Sequence, residues 1–399
     1  MAISVSGSWT AGADGGRPAA AACLLTPAVT DDFAAVKDVW RRLAGQGHAT
    51  PYQSYAFCEA YFRHVEAAEG ARAAIVVLHD AGREPVALLP LSVRRAGPFR
   101  VAHFIGGRQS NFNMPLFGRA GEAIGRDPLR ASLVAAGRLM NVDALILHAQ
   151  PRVWDGFANP MAALASMDSP SNGYRLSLEA NADTVFARQL SKDTRRKLRQ
   201  KAQKLARIGD VRFDRPSGAD AQAALADFFR LKADRFAAQG IADPFAQPSV
   251  RAFLSEAVAT PSPTIELHTL RVGGRLVAVF GGVVHAGRFS ALLTAFDSDE
   301  AISRCSPGDI LLTELIRDCC ARGLATFDLG VGEAHYKDKI CDAEEPLFES
   351  FVPVTPAGQA IVAASLATMV LKRAIKTSDV GRRALALMRA IRSRRRAGT

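Results

Sequence analysis

The chain of 399 residues is too long for one ordinary domain and suits two. Hydrophobic residues make up 48% of it and charged residues 22%, a globular composition that excludes a largely disordered chain. The formal net charge of +11 is concentrated, because residues 188–207 carry +8 and residues 370–399 carry +9, which leaves −6 for the remainder. This distribution disfavours a broad nucleic-acid-binding surface, so nucleic acid is not an expected partner.

The apolar pattern predicts two helices in the first part of the chain, at 31–43 and 53–65. Strands follow at 73–79, 85–93 and 99–105, then a helix at 127–140 and a strand at 143–148. The second half repeats this order, with strands at 265–271, 275–284 and 288–296, a helix at 307–321 and a strand at 325–329. The repeated strand–strand–strand–helix–strand order predicts a duplicated α/β fold.

The segments around these repeats set the expected domain boundaries. Residues 1–22 are small and polar and are expected to be a flexible N-terminus, followed by a first domain at 23–180. Residues 181–208 have a narrow apolar stripe among Lys and Arg, which predicts one long basic linker helix before a second domain at 209–356. The remainder, 357–399, is a basic tail with Leu385, Met388 and Ile391 at helical spacing. This segment is either a surface helix that binds an anionic membrane or a solvated tail without a partner.

The N-terminus, cysteines and histidines indicate a cytoplasmic protein. No basic region precedes an apolar stretch at the N-terminus, and no apolar run reaches the roughly 18 residues of a membrane-spanning helix. The six cysteines show no CxxC spacing, and the eight histidines form no HExxH or similar set. We therefore expect a reducing compartment and no metal.

Three stretches carry a family resemblance: LSKDTRRKLRQKAQKLARIGDVRF, FFRLKADRFAAQGI and SPGDILLTELIRDCCARGLATFDLGVGEAHYKDKI. They resemble the GNAT-type acetyltransferases grouped as CelD-like and BioF2-like proteins, which are related to the tandem-GNAT FemABX transferases. The resemblance implies a tandem GNAT-like α/β fold, with two mixed sheets flanked by helices. It also implies transfer of an acyl group from acetyl-CoA or another acyl-CoA to an amine or hydroxyl of a small molecule or glycan precursor. The implied setting is exopolysaccharide, cellulose or envelope metabolism, in the cytoplasm or at the cytoplasmic face of the inner membrane.

The turn before the predicted helix at 307–321 is the expected donor site. In a GNAT fold this helix start receives the cofactor pyrophosphate on its free N–H groups. The residues assigned to acyl-CoA binding are Phe296, Arg304, Ser306 and Gly308. The alternative is a self-sufficient helix start, with Ser306 as N-cap and Pro307 in the first turn.

Four titratable side chains follow the buried strand at 325–329, and these are the catalytic candidates. Acyl transfer needs a base and a donor for the developing oxyanion. Glu333 or His335 could supply the base, and Lys337 or Tyr336 the donor. Lys337 is the leading catalytic candidate, because the pair Tyr336-Lys337 is the part of this segment that most resembles the family. An ordinary exposed polar loop is the alternative.

Four polar residues elsewhere are acceptor-binding candidates. Asn111 and Asn113 occupy the equivalent loop of the first half and could orient a sugar, although a plain turn explains them equally well. Lys232 and Arg235 could meet an anionic substrate, or form a solvated helix face. Two rival functions remain at this point: an aminoacyl-tRNA-dependent FemABX-like transferase, and a non-catalytic GNAT-fold scaffold of a polysaccharide-synthesis complex.

Overall fold

Two mixed β-sheets with helices packed on their faces form the protein. The computed structural model describes residues 25–260, 262–334 and 336–377. The first sheet has the order β1-β2-β3-β4-β6-β17-β9, with β5 paired to β3, and a separate hairpin pairs β7 with β8. These strands are β1 (Thr26–Thr30), β2 (Arg72–His79), β3 (Pro85–Ala96), β4 (Phe99–Phe104), β5 (Leu116–Phe117), β6 (Ala144–Pro151), β7 (Val153–Trp154), β8 (Phe157–Ala158), β9 (Met167–Asp168) and β17 (Leu347–Pro353).

The second sheet has the order β11-β12-β13-β14-β15-β10-β16. Its strands are β10 (Gly173–Ser177), β11 (Val211–Asp214), β12 (Glu266–Val272), β13 (Arg275–His285), β14 (Arg288–Phe296), β15 (Thr326–Val331) and β16 (Ala343–Glu345). Neighbouring strands are antiparallel in both sheets, except for the parallel pairs β4–β6 and β14–β15. Each parallel pair is bridged by a helix in the predicted repeat, so the duplicated order is confirmed.

The described helices are α1 (Lys37–Gln46), α2 (Tyr55–Tyr61), α3 (Arg126–Met140), α4 (Ala182–Gln189), α5 (Lys192–Ala206), α6 (Gly218–Ala238), α7 (Pro248–Ala259), α8 (Glu300–Ser303), α9 (Pro307–Ala321), α10 (Lys337–Ile340) and α11 (Pro356–Thr377). Short 3₁₀ segments lie at Ala34–Val36, Pro51–Gln53, Gly107–Gln109, Arg119–Ala123 and Pro160–Leu164, and a π turn lies at Phe62–Glu66. None of the helices in the described part of the chain is long and apolar enough to cross a membrane.

The two halves exchange their final strands. β10 follows the first half in the chain but pairs with β15 and β16 of the second sheet. β17 follows the second half but pairs with β6 and β9 of the first sheet. Neither sheet is complete without the other half, an arrangement that the expected boundaries at 23–180 and 209–356 do not include.

The single helix predicted at 181–208 is wrong, because the structure has two helices there. Leu190 is extended, with ψ 133°, and Ser191 caps α5 by accepting a hydrogen bond from the Thr194 N–H at 3.1 Å. A serine at the N-cap is a common start signal, and it outweighs the continuous charge pattern. Phe186, Leu190 and Leu205 belong to the core of the second sheet, so the segment covers that core instead of bridging two domains.

Candidate functional site

A slot opens in the second sheet where β14 and β15 diverge. The two strands pair only between Arg288–Ser290 and Thr326–Asp328, and the described residues show no pairing between them beyond that point. β14 also carries a bulge, since Leu292 has no register partner on β13 while its neighbours on both sides do. A bulge bends its strand and leaves backbone groups unpaired. Because β15 leaves β14 beyond Ser290, the edge of β14 that faces β15 can accept an extended chain there.

Asn111 of the first half reaches into this slot. Its Nδ2 donates to the Ala291 carbonyl and to the Tyr52 hydroxyl, both at 2.9 Å. Gly330 lies opposite with φ 74°, and a Cβ there would approach Asn111 Nδ2 to 2.7 Å. The slot is thus closed on one side by a side chain that lies about half the chain away in sequence.

Asp328 is a fully buried carboxylate on β15, at the point where this strand leaves β14. Its Oδ1 accepts the Gly330 N–H at 2.6 Å. Its Oδ2 has no well-aligned hydrogen-bond partner among the described residues, although the neighbouring Ser290 hydroxyl lowers the pKa of the carboxyl, and Arg288 Nη1 lies 4.0 Å away. Burial raises the pKa of Asp328 to about 7, against the lowering effect of Arg288. The sequence analysis did not single out this residue, although an aspartate inside an otherwise apolar strand is a usable signal.

Arg288 joins the two halves beneath Asp328. It is 3% exposed, and its guanidinium carbon lies 3.9 Å from the centre of the Trp154 ring. Its Nη2 contacts Asp155 at 2.6 Å and Glu345 at 3.2 Å. A buried charge needs such partners, so the position of Arg288 depends on residues from both halves.

Lys337 lies in the same region, at the start of α10. It is only 5% exposed, and its Nζ donates to the carbonyls of Gly330 at 3.0 Å and Val331 at 3.2 Å. Burial lowers its pKa. Two of the three ammonium N–H groups are used in this way, which leaves one for a ligand. Lys337 is therefore part of the slot floor and not of an exposed loop.

The other three catalytic candidates differ in placement. Tyr336 is 42% exposed and Glu333 is exposed, so neither is buried with Lys337. His335 lies outside the described residues.

Ser306 does not seal the start of α9 as a capping side chain. It has φ 51°, and among the described residues its hydroxyl caps no helix N–H but accepts a hydrogen bond from Lys201 Nζ at 2.7 Å. Gly308 in the first turn lies against Phe296, since a Cβ there would be 3.3 Å from that ring. Three of the four donor-site candidates thus lie around the start of α9: Phe296, Ser306 and Gly308.

A groove of about 510 Å³ runs from this helix start along α5. The basic residues that line it are Lys197, Lys201, Lys204, Arg304 and Lys339. Asp309 is the acidic residue among the lining residues, and Tyr336 lines the groove as well. The excess of cations, together with the positive end of the α9 dipole, suits a phosphate-bearing ligand.

The four acceptor-binding candidates lie at different places in the structure. Asn113 is buried, and its side chain bonds to Gln53, Ser110 and the His148 carbonyl, so it holds its own loop. Arg235 lies on the donor side, with its guanidinium 4.6 Å from the Phe296 ring. Lys232 lies nearby among three phenylalanine rings, and desolvation lowers its pKa to about 8. Only Asn111 reaches the slot beside Asp328.

Comparison with known proteins agrees with this arrangement. Residues 192–338 match the acetyltransferase (GNAT) domain family. The match runs from α5 to the first turn of α10 and so includes the slot, the start of α9 and Lys337. No curated protein shows significant sequence similarity to the chain. The grouping with CelD-like and BioF2-like proteins stays an expectation.

Solved structures resemble the chain over most of its length. The structure of FemX has a TM-score of 0.57 at 10% identity, over 82% of this chain and 98% of that one. A conserved protein of unknown function from Bacteroides thetaiotaomicron has a TM-score of 0.51 at 11% identity, over 82% and 99%. The C-terminal domain of a putative lysylphosphatidylglycerol synthetase from Agrobacterium fabrum has a TM-score of 0.50 at 14% identity, over 84% and 97%. At these identities the likeness shows the fold, which is a tandem GNAT-like α/β fold.

Proposed function

We propose that the chain transfers an acyl group from acyl-coenzyme A to an amine or hydroxyl acceptor. The observation that carries the proposal is the slot between β14 and β15, which opens beside the unsealed start of α9 and its basic groove. The amide-bearing arm of the thioester would pair with the free edge of β14. Its phosphates would lie at α9, near Gly308 and Arg304.

The side chains at the floor of the slot suit acyl transfer. The acceptor lone pair attacks the thioester carbonyl, the new C–N or C–O bond forms, and the C–S bond breaks. Asp328 would take the acceptor proton, because a base whose pKa is near neutral is efficient at physiological pH. Lys337 would direct its remaining N–H to the leaving thiolate. Asn111 would position the acceptor, and Glu333 and Tyr336 would contact it at the rim.

An aminoacyl-tRNA donor is the second candidate, because α5 supplies Lys197, Lys201 and Lys204 to the groove. A basic helix face of this kind also suits a larger polyanion. The scaffold alternative is disfavoured, since it requires a sealed helix start and no cleft at Lys337. We place the acceptor among glycan precursors of the envelope on the family resemblance alone. The basic tail, which beyond residue 377 lies outside the described residues, would suit an anionic membrane surface by its charge and helical spacing.

Calorimetric titration of acetyl-CoA and octanoyl-CoA tests the donor. Gly308→Glu places a carboxylate at the start of α9 and should abolish binding, although its Cβ also displaces the Phe296 ring slightly. Gly45→Glu is the matched control, because Gly45 lies on an exposed helix face with nothing within 4 Å of its Cβ. Lys337→Ala should retain donor binding while thiol release in the presence of an acceptor falls.

The outcomes separate the candidates. Binding of either thioester that Gly308→Glu abolishes and Gly45→Glu retains supports the acyl-CoA enzyme. If neither thioester binds, the proposal is wrong. Binding of charged tRNA, weakened by added salt, would then favour the aminoacyl donor.

A further inference from the structure

The slot between β14 and β15 narrows toward one end, where Asn111 fills it. The strands last pair at Ser290 with Asp328, so the narrow end lies at the residues that follow, Ala291 and Gly330. Asn111 Nδ2 donates to the Ala291 carbonyl at 2.9 Å, and a Cβ on Gly330 would lie 2.7 Å from the same nitrogen. The Asn111 side chain therefore lies between the two strands at the narrow end.

The core of the first half holds Asn111 from behind. The same Nδ2 donates to the Tyr52 hydroxyl at 2.9 Å. Tyr52 is 0% exposed, and its ring packs against Phe57 and Phe112, which are also fully buried. Both N–H groups of the Asn111 amide are thus committed to fixed partners, and a group that pushes past this side chain must break two hydrogen bonds.

The free edge of β14 matches the length of the arm that joins the phosphates of coenzyme A to its sulfur. Phe296, at the end of β14, lies beside Gly308 in the first turn of α9, where the phosphates are proposed to bind. From Phe296 back to Ala291 the strand spans about 16 Å, at roughly 3.3 Å per residue. The arm has about 13 bonds between phosphorus and sulfur, an extended reach of about 15 Å. The sulfur of a bound thioester would therefore reach the level of Ala291 and Asn111.

We propose that Asn111 limits the length of the acyl group, so that the slot admits an acetyl group and excludes longer chains. This inference rests on the proposed transfer from acyl-coenzyme A. The acyl group continues beyond the sulfur toward the narrow end, so each carbon after the second must displace the Asn111 amide from Ala291 and Tyr52. Asp328 lies at the same level of the slot, which places the proposed base next to the thioester carbonyl.

Calorimetric titration of the full chain with acetyl-, butyryl- and octanoyl-CoA tests the limit. In an open slot the longer chains would bind as tightly as acetyl or more tightly, because each added methylene buries apolar surface. With Asn111 in place, we expect octanoyl-CoA to bind at least about tenfold more weakly than acetyl-CoA, since it must break two hydrogen bonds.

The outcomes separate this inference from the proposed transfer. If acetyl-CoA binds and octanoyl-CoA binds equally well or better, the transfer stands and the length limit is overturned. If no thioester binds, the proposed transfer is wrong and the length limit is wrong with it.

Two variants assign the limit to Asn111. Asn111→Ala removes the amide and should bring the affinities for acetyl-CoA and octanoyl-CoA within about threefold of each other. Tyr52→Phe removes one partner of the amide but keeps the ring, so it should narrow the difference, and it decides if Asn111→Ala fails to fold by circular dichroism. Ser110→Ala is the matched control, because the Ser110 hydroxyl bonds within its own loop, to Phe112 and Asn113. A wild-type affinity ratio in both test variants, or an equal change in Ser110→Ala, would refute the role of Asn111.

Discussion

Replacing Asp328 with Asn should change how stability depends on pH. Burial raises the pKa of Asp328 from 3.8 to about 7. Between these values the unfolded chain loses the proton while the folded chain keeps it. The free energy of unfolding therefore falls as the pH rises, and the full cost is present above pH 7. A shift of about three pKa units corresponds to roughly 4 kcal/mol at 1.36 kcal/mol per unit.

Asp328→Asn keeps the acceptor for the Gly330 N–H and carries no charge. The difference in unfolding free energy, variant minus wild type, should therefore rise by up to roughly 4 kcal/mol between pH 4 and pH 8. Urea denaturation followed by circular dichroism at several pH values measures it. Taking the difference cancels the other buried carboxylates, such as Glu345, whose pKa is also raised by burial.

Asp338→Asn is the matched control, because this aspartate is exposed and lies ten residues further along the chain. A pH-independent difference for Asp328→Asn would show that the carboxylate is not held as described. In the proposed reaction, wild-type turnover should rise with pH through about 7 as Asp328 ionises. Turnover by the Asp328→Asn variant should be slower than that of the wild type by a factor on the order of 10²–10⁴.

Arg288→Met should cost on the order of 3–5 kcal/mol in urea unfolding, because it leaves buried carboxylates without their cation. Gly330→Ala should cost on the order of 1–3 kcal/mol, since φ 74° is strained for alanine and its Cβ would strike Asn111; differential scanning calorimetry measures the loss. Lys201→Ala should weaken acyl-CoA binding several-fold and reduce its salt dependence, because it removes a charge from the basic groove; calorimetric titration at two salt concentrations measures both.

Controls for these three variants come from the same chain. Arg212→Met removes an exposed arginine paired with Asp210 and should change stability little. Gly274→Ala tests positive φ without a clash, since nothing lies within 4 Å of its Cβ. Lys192→Ala removes an exposed lysine of α5 that does not line the groove. If a control variant loses as much stability or acyl-CoA affinity as the variant it is matched to, the specific contact does not cause the effect.

The periodicity of the chain alone was enough to find the repeated fold. β14 and α9 have the predicted bounds, and the other strands of the repeat agree within a few residues. These segments are long, apolar and bounded by turn residues, so local pattern determines them. The resemblance around Ser306 and Lys337 likewise pointed to the part of the second half where the slot lies.

Only the tertiary structure decided how the site is assembled. The repeat pattern did not include the strands at 173–177 and 347–353, and local pattern does not show that each pairs with the other half, because pairing partners are distant in sequence. Local pattern likewise does not show that Asn111 contacts Ala291 or that Asp328 is buried. The pKa of Asp328 depends on how much water the surrounding fold excludes, and a side chain's own neighbours in sequence do not determine this.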